Sequence, residues 1–275
     1  MTPDIYFINL DRVPERADFM TAQCSRVGLV DPVRFSAVDA AEGHDFPRYQ
    51  PRRWGPYWTL RRSEVAVFES HRALWEKIAA ATGAGVIFED DVLLSDSFKD
   101  VIDALATGAA SFDLIKLDAL SGRVRLGAET QIGSSRVRVI TDVLPSAAAY
   151  MLTPEGARKL LSRSGQYCDH LDDFITRPFD GFRAYQLLPG IAVQGMFADV
   201  GARMDIPASI ANSERTGTTQ PAPYDKGPVI YRLAKEVRRA GRRLTRKIYR
   251  DRALIRAGGL IGEVPLASDL PGYRR

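Results

Sequence analysis

The stretch GVIFEDDVLLSDSF, residues 85–98, places an apolar run directly before three consecutive acids, Glu89, Asp90 and Asp91. The run 86–88 is typical of a strand that is buried on both faces, as in the parallel sheets of α/β proteins. In open α/β sheets, ligands bind outside the carboxyl ends of the strands. The stretch therefore predicts an α/β fold with concentrated negative charge at the end of a central strand.

Strand and helix patterns alternate on both sides of this stretch. Strands are predicted at 4–10, 33–38, 112–118, 146–153 and around 183–193, and helices at 14–27, 63–81, 97–106 and from 154 onwards. Residues 121–140 are predicted to form loops or a hairpin. Residues 41–62, which have no clear period, are predicted to form a long functional loop or a small subdomain. The alternation predicts an α/β sandwich with a mostly parallel central sheet.

Length and composition indicate a globular protein. The chain has 275 residues, of which 45% are hydrophobic and 26% charged, so it can bury a large core without disulfides or metal ions. Its two cysteines, Cys24 and Cys168, are far apart, which argues against a zinc site and fits a reducing compartment. We expect neither a signal peptide nor a transmembrane helix, because the sequence has no long uncharged apolar run.

The charge is unevenly distributed. Residues 226–256 contain twelve Lys or Arg and two acids, so this segment carries +10 and the remainder −6 of the formal net charge of +4. An apolar stripe runs through the segment at helical spacing: Leu233, Val237, Ala240, Leu244 and Ile248. A basic amphipathic helix is typical of membrane-surface or nucleic-acid binding, and the alternative is a solvated tail. Because no nucleic-acid-binding motif accompanies it, we expect no nucleic-acid partner.

Four groups of residues are candidates for chemistry, and each has a structural alternative. The acids at 89–91 can bind Mg²⁺ or Mn²⁺ together with substrate phosphates, or can form a solvated turn before a helix. Arg12 and Arg16 can face a phosphate, or can pair with acids at the surface. His71 can be a catalyst or a hydrogen-bonded core residue. The segment CDHLDDF, 168–174, can supply a general base, or acids at a helix N-terminus.

Several motifs occur in a defined order over about 170 residues: INLDRxxxR from residue 8, AVDA at 37–40, SEVxxxxSHRALW at 63–75, VIFEDDV at 86–92, FDLIKL at 112–117, AAAYMLTPEGARKLL at 147–161 and DH at 169–170. The set resembles glycosyltransferase family 25, the bacterial lipopolysaccharide and lipooligosaccharide sugar transferases that are related to collagen galactosyltransferases. The resemblance covers roughly residues 4–210. One departure is SEVAV at 63–67, where the family often has Gly-Glu-x-Gly-Cys.

The resemblance implies a GT-A type nucleotide-binding sandwich with a sugar-nucleotide donor and a divalent metal ion. It implies that Mn²⁺ or Mg²⁺ binds Glu89 and Asp91. The residues implied near the sugar nucleotide are Asn9, Leu10, Arg12, Arg16, Asp39, Ser70 and Asp90. The residues implied in catalysis are Glu64, His71, Asp169 and Asp172, with either Asp169 or Asp172 as the general base that accepts the proton of the attacking hydroxyl.

The expected protein is a glycosyltransferase with a catalytic domain at 1–215 and a linker with a basic amphipathic tail at 216–275. By resemblance, its donor is UDP-galactose, and its acceptor is a surface glycan or lipid-linked oligosaccharide. We expect it in the cytoplasm, held by its tail to the anionic inner face of the plasma membrane. The alternative is a non-catalytic sugar-nucleotide-binding or scaffolding protein of the same fold.

Overall fold

The computed structural model describes residues 2–51, 59–200, 227–245 and 249–274, and within them a nine-stranded sheet is flanked by helices. The strands are β1 (Asp4–Asn9), β2 (Val33–Ser36), β3 (Gly85–Glu89), β4 (Val92–Leu94), β5 (Leu114–Lys116), β6 (Val124–Ile132), β7 (Ser135–Ile140), β8 (Ala149–Leu152), β9 (Ala184–Leu188), β10 (Ala192–Gln194) and β11 (Leu260–Gly262). The helices are α1 (Pro14–Arg26), α2 (Arg62–Ala80), α3 (Phe98–Thr107), α4 (Pro154–Arg163), α5 (Leu171–Thr176), α6 (Val229–Thr245) and α7 (Asp251–Arg256). The strand order is β11-β6-β7-β9-β5-β8-β3-β1-β2, and β4 and β10 form a separate ribbon.

Alternate side chains of β3 enter two different hydrophobic cores. Val86 and Phe88 pack with residues of α1 and α3 on one face of the sheet, whereas Ile87 packs with residues of α2, α4 and α5 on the other. All three side chains are fully buried, as the two-residue period of a strand covered on both faces requires. The predicted α/β sandwich is therefore confirmed.

The local sequence explains the ends of α1 and the start of α2, two helices near the site. α1 begins at Pro14, whose fixed φ suits a first helical position, and the chain leaves the helix through Gly28 at a φ of +72°. α2 begins at Arg62, where the Glu64 carboxylate accepts a hydrogen bond from the Arg61 backbone N–H at 2.7 Å. This capping contact places the start of α2 one residue before the predicted start at Ser63.

The sheet is mixed, with parallel pairs beside the carboxyl end of β3. β2, β1 and β3 run parallel, as do β5 and β9. In contrast, β8 lies antiparallel between β3 and β5, and β6, β7 and β11 add further antiparallel pairs. The expectation of a mostly parallel sheet therefore needs correction for the half of the sheet that runs from β11 to β8, where every pair except β5 with β9 is antiparallel. The chain forms the hairpin β6–β7 at 124–140 instead of a helical crossover, so β8 returns in the opposite direction.

The C-terminal residues complete the sheet and its core. β11 pairs with β6, and Val264 and Ala267 are buried. Asp269 accepts a hydrogen bond from Ser95 Oγ at 2.9 Å. The segment predicted as linker and tail, 216–275, therefore ends in residues of the main fold. A three-residue strand is too short to produce a period in the sequence, which is why this part was not foreseen.

Some predictions concern residues outside the described ranges. These include the domain boundary near 215, part of the loop 41–62, and the side chains of Ala240, Leu244 and Ile248. A helix, α6, does occupy the first part of the predicted basic helix. Among the described helices, none combines the length and apolarity needed to cross a membrane.

Candidate active site

A neighbouring strand holds the acids at the end of β3. Glu89 is the last residue of β3 and Asp91 precedes β4, whose partner strand β10 ends in Gln194. Gln194 Nε2 donates to Glu89 Oε2 at 2.7 Å and to Asp91 Oδ1 at 3.3 Å. One amide group therefore links the two predicted metal ligands. Sequence analysis missed Gln194, because its proximity depends on the pairing of β4 and β10.

The third acid, Asp90, contacts β1 and α1 instead. Asn9 Nδ2 donates to Asp90 Oδ2 at 2.7 Å, and Arg16 donates to Asp90 Oδ1 at 3.0 Å. The Asn9 side-chain oxygen Oδ1 in turn accepts from Arg34 Nε at 2.9 Å. The structure thus brings together three residues that were predicted to lie near the sugar nucleotide, with Asp90 orienting the other two.

Burial and mutual repulsion disfavour the charged forms of the other two acids. Burial, reinforced by Asp91 and Asp90, raises the pKa of Glu89 well above its ordinary value. Burial and Asp90 raise the pKa of Asp91 to about 6. The charges of Asp118 and Asp172 add to the shift at Glu89. Glu89 therefore lies close enough to four other carboxyl groups for each of them to disfavour its charged form.

This donor set suits a hard divalent cation that also binds phosphate. Within the described ranges, no cluster of three or more His, Cys, Asp or Glu side chains is arranged to enclose a metal ion. Mg²⁺ is commonly held by only one or two carboxylates, and water and substrate phosphates complete its coordination shell. Glu89 and Asp91 fit that role, because a cation would offset the repulsion that raises the pKa of each.

His71 lies buried beside Glu89. Its Nδ1 is 2.9 Å from the Tyr150 hydroxyl, which accepts a hydrogen bond from Trp75 Nε1 at 2.8 Å. Its Nε2 is 3.9 Å from Glu89 Oε1. Burial lowers the pKa of His71 to about 3, so the imidazole is neutral near pH 7. The structure therefore places this predicted catalytic residue next to the acids, in a hydrogen-bonded core.

A second buried network lies at the end of β5 and includes residues just before β8 and on α5. Lys116 Nζ is 2.7 Å from Asp118 Oδ1, and each side chain is 1% exposed. Ser146 Oγ donates to the Asp118 carboxylate, and the Ser146 backbone N–H donates to Asp172 Oδ2 at 3.2 Å. Ser146 has a φ of +69°, which is uncommon for a non-glycine residue. The network connects Asp172 to Asp118, and it includes three residues that sequence analysis missed: Lys116, Asp118 and Ser146.

Asp169 occupies a different environment from Asp172. Its Oδ1 is 3.3 Å from an Arg177 guanidinium nitrogen, whereas Asp172 is among the charges that raise the pKa of Glu89. Glu64 caps α2 and also lies 3.9 Å from His170 Nδ1. The geometry therefore brings Asp172 rather than Asp169 toward the acidic cluster.

The remaining predicted binding residues surround the loop after β2. Arg12 Nε donates to Asp39 Oδ2 at 2.7 Å, and Asp39 Oδ1 accepts from the Ala41 backbone N–H at 2.9 Å. Ser70 is buried, and its hydroxyl accepts from the Val38 backbone N–H at 2.9 Å and donates to the Ala66 carbonyl at 2.8 Å.

These contacts give the loop residues distinct structural positions. Ser70 fixes the loop against α2, Leu10 is half-buried at the end of β1, and the Arg12 side chain is 62% exposed. Arg12 is therefore placed to meet a ligand from solvent, while Ser70 acts from beneath the loop.

Comparison with known proteins points to one family. The family model described as "Glycosyltransferase family 25 (LPS biosynthesis protein)" matches residues 2–175. The "Probable inactive glycosyltransferase 25 family member 3" of Rattus norvegicus is 29% identical over 64% of this chain and 33% of its own length. The "Inactive glycosyltransferase 25 family member 3" of Mus musculus is 28% identical over 66% of this chain and 33% of its own length.

A further relative, the "Glycosyltransferase 25 family member" of Aedes aegypti, is 30% identical over 57% of this chain and 27% of its own length. The chain therefore spans about a third of the length of the curated relatives it matches. The family match includes β1 to β8 and therefore the acids at 89–91, whereas Gln194 of β10 lies outside it.

Proposed function

Because the chain belongs to glycosyltransferase family 25, we propose that it is a metal-assisted hexosyltransferase. In this proposal it moves galactose from UDP-galactose to a surface glycan or a lipid-linked oligosaccharide. The observation that carries the proposal is the partly buried acidic cluster at the end of β3, where burial and repulsion raise the pKa values of Glu89 and Asp91. Such a cluster is unfavourable in isolation and becomes useful when a cation and a diphosphate bind it.

The residues around the cluster would contact different parts of the donor. Glu89 and Asp91 would hold Mn²⁺ or Mg²⁺, which would stabilise the negative charge of the departing diphosphate. Asn9 and Arg16 are oriented by Asp90 at the carboxyl end of β1, where a nucleotide binds in open α/β sheets. The exposed guanidinium of Arg12 can reach a donor phosphate from the solvent side.

Asp172 is the proposed general base. The acceptor hydroxyl oxygen forms a bond to the anomeric carbon of the donor sugar as the bond from that carbon to the diphosphate oxygen breaks. The proton of the hydroxyl passes to the Asp172 carboxylate, and UDP leaves with the bonding electrons. This single displacement inverts the anomeric centre. Asp172 fits the role because Ser146 orients it toward the cluster, whereas Asp169 is paired with Arg177.

The test is a panel of nucleotide sugars assayed for transfer and hydrolysis with Mn²⁺, Mg²⁺ or EDTA. We expect metal-dependent release of UDP from UDP-galactose, and a loss of about 100-fold or more in kcat for Asp172→Asn. Asp169→Asn is the matched control and should retain most activity. Equal losses in the two variants would remove Asp172 from its role, and full turnover in EDTA would contradict the metal assignment.

The alternative is a non-catalytic protein that binds a sugar nucleotide. The names of two relatives support this alternative. The rat and mouse proteins are named as inactive family members. A chain of this kind would gain thermal stability from UDP-galactose and Mn²⁺, but would release no UDP with any acceptor. The same panel, with the melting temperature measured beside UDP release, therefore distinguishes the two functions, because binding and turnover are then read separately.

We further propose that α6 holds the protein at the inner face of the plasma membrane. The exposed apolar residues of α6 are Val229, Ile230, Leu233 and Val237, whose exposed fractions range from 64% to 84%. The helix also carries Arg232, Lys235, Arg238 and Arg239. Each basic residue near an anionic bilayer contributes about 1 kcal/mol, less at high salt, and the apolar face adds area for interfacial burial.

Co-sedimentation with phosphatidylserine vesicles tests this localisation. We expect the protein to sediment at low salt and to be partly released at high salt. Leu233→Ser/Val237→Ser should weaken binding, whereas the control Val30→Ser/Val33→Ser changes exposed apolar residues elsewhere and should not. A full-length protein that ignores these vesicles at low salt would contradict the membrane proposal without affecting the catalytic one.

A further inference from the structure

Three buried aromatic side chains lie in a hydrogen-bonded row that ends at Glu89. Trp75 and His71 are four residues apart on α2, and Tyr150 lies on β8, directly opposite Ile87 of β3. Trp75 and Tyr150 are fully buried, as is His71. The row therefore crosses from the helix layer to the sheet and meets the acidic cluster from inside the core.

The donors and acceptors in this row allow one complete assignment of protons. Indole Nε1 can only donate, so the Tyr150 oxygen accepts from Trp75. If His71 Nδ1 also donated to this oxygen, the Tyr150 proton would have no acceptor among the described residues around it. If Tyr150 donates to Nδ1, the indole and hydroxyl protons are both used, and the imidazole proton lies on Nε2.

The far side of the ring supports the same assignment. His71 Nε2 is buried, has no hydrogen-bond partner among the residues that the structure describes, and lies 3.9 Å from Glu89 Oε1. With Glu89 ionised, as it would be when it holds a cation, a bare nitrogen lone pair facing its oxygen would be repelled, whereas an N–H facing it is attracted. A shift of about 1 Å by the carboxylate would complete the hydrogen bond.

We propose that Trp75, Tyr150 and His71 form a hydrogen-bond relay that presents the Nε2 proton of a neutral imidazole to Glu89. His71 and Tyr150 are then positioning residues for this carboxylate. Glu89 Oε1 faces the imidazole, and Oε2 accepts from Gln194, so both oxygens have a neutral donor that sets the carboxylate plane. His71 cannot be the general base in this arrangement, because Nδ1 accepts from Tyr150 and Nε2 already carries a proton.

The tautomer can be read without any assay of activity. The chain has three histidines, so ¹⁵N-histidine labelling gives three ring systems, and His44→Gln and His170→Gln identify the third as His71. Long-range ¹H–¹⁵N correlation at pH 7 should show a protonated Nε2 and an unprotonated Nδ1 on His71. Tyr150→Phe, which removes the donor to Nδ1, should produce the other tautomer or a mixture. A protonated Nδ1 in the wild type would overturn the proposal.

A matched control separates the relay from packing. Phe174 stacks on Trp75 with ring centroids 5.9 Å apart but has no hydrogen-bonding group. Phe174→Leu should therefore loosen the same core and keep the Nε2–H tautomer. If Phe174→Leu and Tyr150→Phe change the tautomer equally, packing rather than hydrogen bonding sets it, and the relay is contradicted.

The positioning role rests on the proposed metal site and has a separate readout. Binding of Mn²⁺ alone, measured by electron paramagnetic resonance, should weaken about 10–100-fold in Tyr150→Phe and His71→Leu. His71→Gln places an amide N–H near the position of Nε2 and should recover much of this loss. Equal affinity in Leu and Gln variants would overturn the positioning role. If the wild type binds no Mn²⁺, the metal assignment fails, and the relay is still decided by the tautomer.

Discussion

At the residue scale, the acidic cluster should cost stability when no cation is bound. The pKa of Asp91 is raised from 3.8 to about 6, so the folded state holds the proton of this group more tightly than the unfolded state does. The wild type should therefore lose stability as the pH rises from 3.8 through about 6, and the loss is complete above that pH. In EDTA at pH 7.5, we expect Asp91→Asn to raise the free energy of unfolding by on the order of 2–3 kcal/mol. Urea denaturation at pH 7.5 and pH 4 measures this difference.

The pH dependence provides the control for Asp91→Asn. Below about pH 4 the carboxyl group is protonated in both the folded and unfolded states, so wild type and variant should converge. In saturating Mn²⁺ the order should reverse, because only the wild type retains both proposed ligands. A variant that is less stable than the wild type in EDTA at pH 7.5 would contradict this account of the cluster.

Removing one partner of the buried pair Lys116–Asp118 should also lower the free energy of unfolding. Lys116→Met leaves the Asp118 carboxylate, which is 1% exposed, without its cation. We expect a loss of about 3–5 kcal/mol in the free energy of unfolding. The double variant Lys116→Met/Asp118→Asn removes both charges and should recover part of that loss. A double variant less stable than Lys116→Met would show that the pair is not coupled in this way.

Individual site residues could be predicted where a local motif contains them. The acids at 89–91 follow an apolar run, and the Arg16 position follows β1 by a few residues, so both were found. Gln194 and Ser146 could not be found, because Gln194 reaches the site through the pairing of β4 with β10, and Ser146 meets Asp172 of α5 across 26 residues of chain. Lys116 and Asp118 did carry a signal, since they are charged residues at the end of the otherwise apolar run LIKLD, 114–118.

At the scale of elements, the contact between α4 and β5 depends on one glycine. A Cβ added at Gly156 would lie 2.3 Å from the Asp113 carbonyl oxygen, so the backbone of one element would have to move. We expect Gly156→Ala to lower the free energy of unfolding by about 1–3 kcal/mol. Gly241→Ala on α6 is the matched control, because its Cβ would meet nothing within 4 Å. There the better helix propensity of Ala should favour the helix by up to about 1 kcal/mol.

Thermal unfolding followed by circular dichroism measures both glycine variants. Equal melting temperatures for Gly156→Ala and wild type would mean that α4 can shift without cost. The elements themselves were largely predictable, because α1 to α4 have helical periods with clear end signals, and β1 and β3 are apolar runs that end at polar residues. The direction of β8 was not, because a strand pattern has the same period in parallel and antiparallel sheets.

At the scale of the whole molecule, the charge of the C-terminal segment did not predict where its last residues lie. The basic composition of 226–256 suggested that everything after about 215 lies outside the fold. The structure instead returns the chain to the sheet at β11, and α7 is tied to β6 by Arg125, whose guanidinium donates to Asp251 at 2.8 Å and 3.1 Å. Net charge describes a segment's affinity for its surroundings and carries no information on tertiary contacts.

Truncation of the C-terminus should therefore destabilise the protein, whether or not α6 binds a membrane. Ending the chain after residue 258 keeps α6 and α7 but removes β11 and the buried Val264 and Ala267. It also removes Asp269, which binds Ser95 and the Asp96 backbone N–H. Burial of a Val side chain alone contributes about 1.5–3 kcal/mol, so we expect a loss of several kcal/mol and a clearly lower melting temperature.

Two comparisons make the truncation result decisive. Ending the chain after residue 225 should lower stability at least as much, because it removes the same contacts and also the Arg125–Asp251 pair. Leu233→Ser/Val237→Ser changes only exposed side chains of α6 and should keep the melting temperature of the wild type. If the chain ending at 258 melts with the wild type, β11 and the residues after it are not part of the cooperative fold. If it is destabilised as expected, membrane binding can be tested only with surface substitutions on α6, since deletion of the C-terminal segment would change stability and localisation together.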